Sequence, residues 1–234
     1  MKKKIALVVS CEHAVDTVPD RYIPLFKPYS ALLKTHRGID FGTLAIAEAI
    51  KEVIPCDFVQ ATATRLLIDC NRSLHIRGCF SEVTHNLSVE EKDKIISTYY
   101  LPFREQVMAH ITKHREQGLQ VLHCSIHSFT PVMNNHTRTA DIGLLYDPKR
   151  PLEKALCQQW KNEIKKQNPL YRIKMNYPYQ GTSDGFTTSL RKIYTQEEYL
   201  GIEIESNQAL TQDKQSLENL KKTIKITLSN LLND

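Results

Sequence analysis

The sequence predicts an α/β fold with a mixed, mostly parallel sheet and helices on both faces. Short apolar runs of strand length alternate with amphipathic stretches of helix length along the chain. This alternation is typical of parallel and mixed sheets, because helices connect the strands and cover the sheet. No internal repeat, low-complexity tract or linker rich in proline and glycine divides the chain. We therefore expect a single domain over residues 1–234.

The individual elements follow from hydrophobic periodicity and from capping residues. The predicted strands are Ile5–Val9, Asp57–Gln60, Leu66–Asp69, Leu119–Ile126, Asp141–Tyr146 and Tyr199–Glu205. The predicted helices are Gly42–Val53, Ser88–Gln117, Pro151–Gln167 and Gln212–Leu232. Ser88 is a good N-cap residue and acidic residues fill the turn after it, while Gly118 suits a C-cap. A break is expected near Pro102, since proline interrupts helical hydrogen bonding.

Composition excludes several classes of protein. The chain has 234 residues, 41% of them hydrophobic, and a formal net charge of +5. The six cysteines form no CxxC pair, which excludes a zinc knuckle or a thioredoxin-like motif. Several of them end or follow apolar runs, as buried thiols of a reduced, cytoplasmic protein do. No apolar run approaches the roughly 18 residues that a membrane helix needs. The basic residues are dispersed and not interleaved with aromatic ones, so we expect neither a nucleic-acid nor a membrane partner. The oligomeric state is left open.

Polar side chains follow or end four of the predicted strands. They are Glu12 and His13; Asp69, Asn71 and Arg72; His127 and Ser128; and Glu203 and Glu205. Each one alone fits a structural role, such as a buried histidine or a turn-capping aspartate. Ligands bind beyond the carboxyl ends of the strands in open α/β sheets. Four such ends together therefore predict a functional site, because these residue types are costly to bury without a partner.

Metal-assisted hydrolysis is the chemistry that these residue types fit. A catalytic zinc ion takes about three protein ligands, usually histidine and carboxylate, and leaves one position open. A separate carboxylate carries a proton from the attacking water to the leaving group. An arginine fork can bind a substrate carboxylate in bidentate fashion. The expected cofactor is Zn²⁺ or a similar divalent ion.

Six segments of the chain together resemble the N-formylglutamate amidohydrolase family. They are SCEHA (10–14), HRGID (36–40), RLLIDCNR (65–72), IHSFTP (126–131), RTADIG (138–143) and GIEIESNQ (201–208). The resemblance covers roughly residues 5–210, in the order of the family. It implies a fold similar to that of zinc carboxypeptidases and aspartoacylases, with a catalytic metal at the carboxyl edge of the sheet.

The resemblance also implies a role for each matching residue. His13 and His127 take the places of metal ligands, and Glu205 takes the place of the general acid/base. Arg65, Asn71 and Arg72 fall on the positions that bind the substrate carboxylate and the oxyanion. Arg138 matches a family arginine and is expected to contact substrate.

The third metal ligand is open among three carboxylates. Asp40 lies where the family commonly carries an aspartate, and it is the favoured candidate. Glu12 precedes His13 where many members have proline. Asp16 stands three residues after His13, which reproduces the His-x-x-acid spacing of zinc carboxypeptidases.

The expected function is that of a metal-dependent amidohydrolase acting on the amide of a small anionic N-acyl amino acid such as N-formylglutamate. Two alternatives remain. One is a catalytically silent protein that binds small carboxylates on the same fold. The other is a hydrolase of a different carboxylate-bearing amide or small peptide.

Overall fold

The structure is a computed structural model that describes residues 4–233; residues 1–3 and 234 of the predicted domain lie outside the described part. Its strands are β1 (Ile5–Cys11), β2 (Cys56–Gln60), β3 (Gln120–Phe129), β4 (Val132–Met133), β5 (His136–Thr137), β6 (Ile142–Leu145), β7 (Ile173–Met175) and β8 (Tyr199–Asn207). Six of them form one sheet in the order β2-β1-β3-β8-β6-β7, and β4 pairs with β5 in a hairpin. The pairs β1–β2, β1–β3, β3–β8 and β6–β7 are parallel, and β6–β8 is antiparallel. The predicted mixed, mostly parallel sheet is thus confirmed.

Helices cover both faces of this sheet, as predicted. They are α1 (Ile23–Phe26), α2 (Ser30–Leu33), α3 (Thr43–Lys51), α4 (Val89–Ile95), α5 (Leu101–Glu116), α6 (Pro151–Gln167), α7 (Phe186–Arg191), α8 (Gln208–Thr211) and α9 (Lys214–Asn233). The apolar sides of α3, α6 and α9 share one core with one face of the sheet. The helices α1, α4, α5 and α7 bury residues in a second core on the other face. No helix within residues 4–233 is long and apolar enough to cross a membrane.

The capping predictions agree with the structure. Ser88 accepts a hydrogen bond from the backbone N–H of Glu91, which satisfies one of the free donors at the start of α4. The break falls just before Pro102, where a π-helical segment, Ile96–Tyr100, joins α4 to α5. Gly118 follows α5 with a positive φ of 76°, a conformation that glycine adopts without steric cost.

One predicted strand is wrong. Residues 66–67 lie in a turn and residues 68–69 in irregular structure, although Leu66, Leu67 and Ile68 are buried. Their backbone is bonded outside the sheet: the N–H of Leu67 donates to the carbonyl of Thr64, and that of Asp69 to the carbonyl of Cys79. A short apolar run shows burial but not which partner the backbone has, so the pattern alone could not exclude a turn. The pattern also missed β7, the β4–β5 hairpin and the short helices.

The alternation along three central strands positions the site. Side chains two residues apart share a face of a strand. On one face, the central residues of β1, β3 and β8 are apolar and belong to the core with α3 and α9. On the other face they begin with Val8, Val121 and Tyr199 and become polar toward their carboxyl ends. The polar residues of that face are Ser10 and Glu12, His123, Ser125 and His127, and Glu203 and Glu205.

Candidate active site

Two histidines and one aspartate converge at the carboxyl end of this polar face. Nδ1 of His13 lies 3.2 Å from Oδ2 of Asp40, and Nδ1 of His127 lies 3.0 Å from the same oxygen. The three candidate ligand atoms lie within 4.8 Å of one another, and all three residues are buried. His13 follows β1, His127 lies on β3, and Asp40 precedes α3. The structure thus brings together the three residues predicted as metal ligands.

The outer nitrogen of each histidine ring is also bound. Nε2 of His13 lies 2.8 Å from Oδ1 of Asp69, and Nε2 of His127 lies 2.8 Å from Oγ of Ser125. Metal-binding histidines commonly have such a partner on the second ring nitrogen, which fixes the ring orientation and raises the basicity of the ligand. Both rings therefore present Nδ1 to the space beside Asp40, and this donor set fits a zinc-like ion.

The electrostatics of this group support the same fit. Burial opposes the charge on His127, but the hydrogen bond to Asp40 and the charges of Glu12 and Asp40 outweigh it and raise the pKa of His127 to about 10. Burial also opposes the charge on Asp40, yet both histidines and Arg65 hold its pKa well below its usual range. Clustered carboxylates thus favour positive charge at the two Nδ1 atoms, where a divalent cation would supply it.

Arg65 links two carboxylates beneath the histidines. Nη1 of Arg65 donates to Oδ1 of Asp40 at 3.2 Å, and Nη2 donates to Oδ2 of Asp69 at 2.8 Å. Arg65 was predicted to act on substrate through its superfamily position. In this geometry its planar guanidinium spans a candidate ligand and the partner of His13, and the side chain also lines the cavity described below.

We expect Arg65→Lys to lower the free energy of unfolding by about 1–3 kcal/mol, because an ammonium cannot span both carboxylates and leaves one buried without its donor. Urea denaturation measures this loss. The matched control is Arg172→Lys, since Arg172 binds the Asp141 carboxylate through two nitrogens on the surface. Because that pair is exposed, Arg172→Lys should lower the free energy of unfolding by less than about 0.5 kcal/mol. Equal losses for the two substitutions would contradict the bridging role of Arg65.

Glu205 lies beside the histidine pair in the register of the sheet. It is opposite His127 in the β3–β8 ladder and is 5% exposed. Its Oε2 atom has no hydrogen-bond partner among residues 4–233. Burial raises the pKa of Glu205 to about 7, and the charges of Asp40 and Glu203 add to this effect, which His127 opposes. A carboxyl group with a pKa near neutrality can both accept and release a proton.

Glu203 faces the same cavity but is already bound. One carboxylate oxygen accepts a hydrogen bond from Oγ1 of Thr187 at 2.5 Å. In the ladder it lies opposite Ser125, two residue pairs deeper than Glu205.

The site opens into a cavity of about 840 Å³. His13, Asp40, His127, Glu205, Arg65 and Arg72 line it together with Arg37 and Arg77. Asn71 also lines it, but its Oδ1 accepts the backbone N–H of Phe186 at 2.7 Å. Nη1 of Arg72 donates to the backbone carbonyl of Asp184 at 2.7 Å, and a carbonyl does not neutralise the guanidinium. Arg72 therefore presents a positive group to the cavity, whereas Arg37 is paired with Glu82 at 2.6 Å.

Arg138 lies at the outer rim. Its guanidinium lies 5.0 Å from the ring centroid of Tyr179 and donates to the hydroxyl of that residue at 3.2 Å. Tyr179, Thr130 and Met133 line the cavity, and Arg138 contacts all three. Arg138 thus stands next to the cavity, away from the histidine pair.

The two alternative third ligands lie elsewhere. Asp16 binds Lys34 at 2.6 Å and is not part of the histidine group. Glu12 lies behind His127, with Oε2 3.5 Å from Nε2, the nitrogen that faces away from Asp40. The geometry therefore favours Asp40 among the three carboxylates.

Two residues of the site had no predicted role as histidine partners, although Asp69 belonged to the predicted set of strand-end residues. Asp69 was interpreted as a turn-capping residue, and it does accept the backbone N–H of Asn71 at 3.0 Å, but it also holds His13 and Arg65. Ser125 gave no chemical signal of its own. Its position two residues before His127 places both side chains on one face of β3, and that spacing was the available clue.

Comparison with known proteins identifies the class. A histidine and carboxylate group at the carboxyl edge of a mixed α/β sheet is typical of metallohydrolases. The family model for N-formylglutamate amidohydrolase matches residues 5–211. The chain belongs to the N-formylglutamate amidohydrolase family, as the six motifs indicated, and this membership supports hydrolase activity.

Two solved structures share the fold. A gene product of Agrobacterium tumefaciens is 26% identical with a TM-score of 0.82, and the match covers 99% of this chain and 91% of that one. The N-formylglutamate amidohydrolase from Ralstonia eutropha JMP134 is 19% identical with a TM-score of 0.77, covering 99% and 94%. At such low identity, the second likeness concerns the fold. No curated protein matches the chain.

Proposed function

We propose that the chain, acting as one catalytic domain, is a metal-dependent amidohydrolase that cleaves the amide of an N-acyl acidic amino acid such as N-formylglutamate. The observation that carries the proposal is the convergence of His13, Asp40 and His127 within 4.8 Å beside the partnerless carboxylate oxygen of Glu205. Membership in the N-formylglutamate amidohydrolase family supports the same reaction.

His13, Asp40 and His127 would hold a zinc-like ion. When bound, such an ion polarises the amide carbonyl and lowers the pKa of water. Glu205 takes the proton of the attacking water through Oε2 and then delivers it to the nitrogen of the leaving amine. Burial of the carboxyl group keeps bulk water from competing for this proton. Asp69 and Ser125 hold the two imidazole rings in place during both steps.

The arginines of the cavity would bind the carboxylates of the substrate. Arg72 lines the cavity with a guanidinium bound on one side to a backbone carbonyl, so further N–H donors are free to form a bidentate pair. Asn71 positions this segment against the start of α7 and carries an amide N–H₂ that can donate to substrate. Arg138 would act at the rim on the end of the substrate farthest from the scissile bond.

A panel of N-acyl amino acids tests the proposal directly. The protein, loaded with Zn²⁺ and its metal content measured, is assayed for release of the free amine from N-formyl and N-acetyl derivatives of glutamate, aspartate and leucine. We expect acidic substrates to be preferred and the activity to disappear on chelation and return with Zn²⁺. Binding of the acidic compounds without turnover by the metal-loaded protein would instead favour a silent binding protein.

The size of the cavity favours one alternative within the same class. A volume of about 840 Å³ is in the upper part of the range for small-molecule sites. The cavity therefore also admits a longer carboxylate-bearing amide or a short acidic peptide, and dipeptides with an N-acyl glutamate belong in the same panel.

Arg72→Ala is expected to raise KM for acidic substrates and to lower kcat, because remote binding energy helps to position the scissile bond. Together, kcat/KM should fall by about 10²-fold, which corresponds to the loss of one charge-assisted pair of about 3 kcal/mol. Arg72→Lys should not restore activity, since an ammonium lacks the planar fork. Steady-state kinetics on N-formylglutamate and on an amide without a carboxylate separate the effects. Equal losses on the two substrates would refute the assignment.

A further inference from the structure

A line of buried polar side chains runs along the sheet beneath the candidate metal site. From His127 Nε2, the line passes to Ser125 Oγ at 2.8 Å and on to Glu12 Oε2 at 2.7 Å. From the other oxygen of Glu12 it continues through Ser10 Oγ at 2.7 Å to Nε2 of His123 at 2.8 Å. Nδ1 of His123 then meets the hydroxyl of Tyr199 at 2.8 Å. All these residues are at most 3% exposed, so the bonds form without competition from water.

The direction of each hydrogen bond follows from the number of protons available. A carboxylate only accepts, and a serine hydroxyl has one proton to donate. Ser125 therefore gives its proton to Glu12 and must accept a proton from Nε2 of His127. A neutral imidazole with its proton on Nε2 has its lone pair on Nδ1. Nδ1 is the nitrogen of His127 that faces Asp40.

The directions of the hydrogen bonds from Glu12 to Tyr199 follow from the same proton count, and this half of the line contains no candidate metal ligand. Ser10 donates to Glu12 and accepts from Nε2 of His123, whose Nδ1 accepts from the hydroxyl of Tyr199. Gly201 allows this end to form, because a Cβ atom there would lie 2.7 Å from the Tyr199 hydroxyl. Glu12 is thus the common acceptor toward which both halves point. The single carboxylate of Glu12 is enough to decide which atom donates in every hydrogen bond of the line.

We propose that Glu12 is a positioning residue which, through Ser125, fixes the ring orientation and tautomer of His127 so that Nδ1 is presented to the metal ion. Asp69 performs the same task for His13 by direct contact. Glu12 acts on His127 indirectly, through the hydroxyl of Ser125. This is possible because β1 and β3 place Ser10 and Ser125 opposite each other, and the carboxylate of Glu12 accepts from both. This inference rests on the proposed metal-dependent function.

The two serines provide a matched experiment. Both are fully buried, both donate to Glu12 at 2.7 Å, and both lie 2.8 Å from a histidine Nε2, but only Ser125 is joined to a candidate ligand. We expect Ser125→Ala to weaken Zn²⁺ affinity by about 10–100-fold, the usual effect of removing an outer-shell partner. Ser10→Ala should weaken it by less than about threefold. Glu12→Gln, which removes the charge and one acceptor, should weaken it at least about tenfold.

Affinity is measured by competition with a chelator, and thermal unfolding of each metal-free variant is measured beside it. A remote control is Thr227→Ala, because Thr227 is a buried hydroxyl bonded to Trp160 at 3.0 Å. It should lower stability and leave affinity unchanged. In ¹⁵N-edited spectra of the loaded protein, the proton on Nε2 of His127 should exchange slowly in wild type and in Ser10→Ala, and rapidly in Ser125→Ala.

The outcomes separate this inference from the function on which it rests. Wild-type protein that binds no Zn²⁺ overturns the proposed metal dependence and this inference with it. Wild-type protein that binds Zn²⁺, with Ser125→Ala and Glu12→Gln binding it equally well, overturns the inference alone. Equal weakening by Ser125→Ala and Ser10→Ala also overturns it, because the effect would then follow the loss of a buried hydroxyl and not the link to His127.

Discussion

Replacing Glu205 with glutamine is expected to lower kcat by about 10²–10⁴, while metal content and substrate affinity stay close to those of the wild type. The two side chains have nearly the same shape, so the substitution removes the group that accepts and releases a proton without opening a cavity. Glu205 lies beside His127 in the sheet and has a carboxylate oxygen that no other described residue binds. That oxygen is the one available to take a proton from water.

The neighbouring carboxylate supplies the matched control. Glu203 shares the strand face with Glu205, but Thr187 already binds it. Glu203→Gln should therefore reduce kcat by less than about tenfold. Both variants are assayed by single-turnover kinetics with metal content measured in the same samples, because lost metal would mimic lost proton transfer. Near-normal kcat in Glu205→Gln together with an inactive Glu203→Gln would exchange the two roles.

The fold could be predicted where the sequence pattern carried both periodicity and length. The helix Pro151–Gln167 was predicted with the bounds that the structure has. The central strands were predicted within a few residues, since a continuous apolar run buried on both faces is typical of a parallel sheet. The predicted strand at residues 66–69 is also mainly apolar, but it is buried in a turn and in irregular structure. Its partners are the carbonyls of Thr64 and Cys79, which no local pattern reveals.

The candidate site could be predicted as a set of strand ends but not as a set of contacts. His13, His127 and Glu205 stand out because ionisable residues follow apolar strands. Asp40 stands out only through the family resemblance, since it lies in a loop 27 residues after its partner His13. The roles of Asp69 and Ser125 as histidine partners were not predicted, because these roles depend on which ring nitrogen each residue faces. Such a contact depends on the packing of several elements.

The same limit explains the position of Arg65. A sequence pattern can show that an arginine precedes a buried run, but not whether its fork faces a ligand or the protein. Two aspartates, 25 residues before it and four after it, are both placed within reach of its guanidinium. The carboxylates of Asp40 and Asp69 therefore compete with any substrate for the N–H donors of Arg65. Arg72, bound to a neutral carbonyl, remains the stronger candidate for binding an anion.

His127→Ala is expected to abolish stoichiometric metal binding and to lower kcat/KM by at least about 10³-fold. The wild type should hold about one zinc-like ion per chain. Losing that ion removes several kcal/mol of transition-state stabilisation, which accounts for the fall in kcat/KM. Since His127 lies at the carboxyl end of β3, beyond the apolar core, its removal should leave the sheet folded. Elemental analysis of protein purified without chelator gives the metal content, and circular dichroism shows whether the fold persists.

The control for His127→Ala is a histidine that contacts a carboxylate away from the site. His110 on α5 lies 3.1 Å from Asp57 on β2 and does not belong to the histidine and carboxylate group of the site. His110→Ala should therefore keep both the ion and the activity. His13→Ala should behave like His127→Ala, because both rings direct Nδ1 at the same oxygen of Asp40. A folded His127→Ala variant that retains one ion per chain would place the metal elsewhere. Loss of the ion from His110→Ala as well would show that metal content does not report on this site.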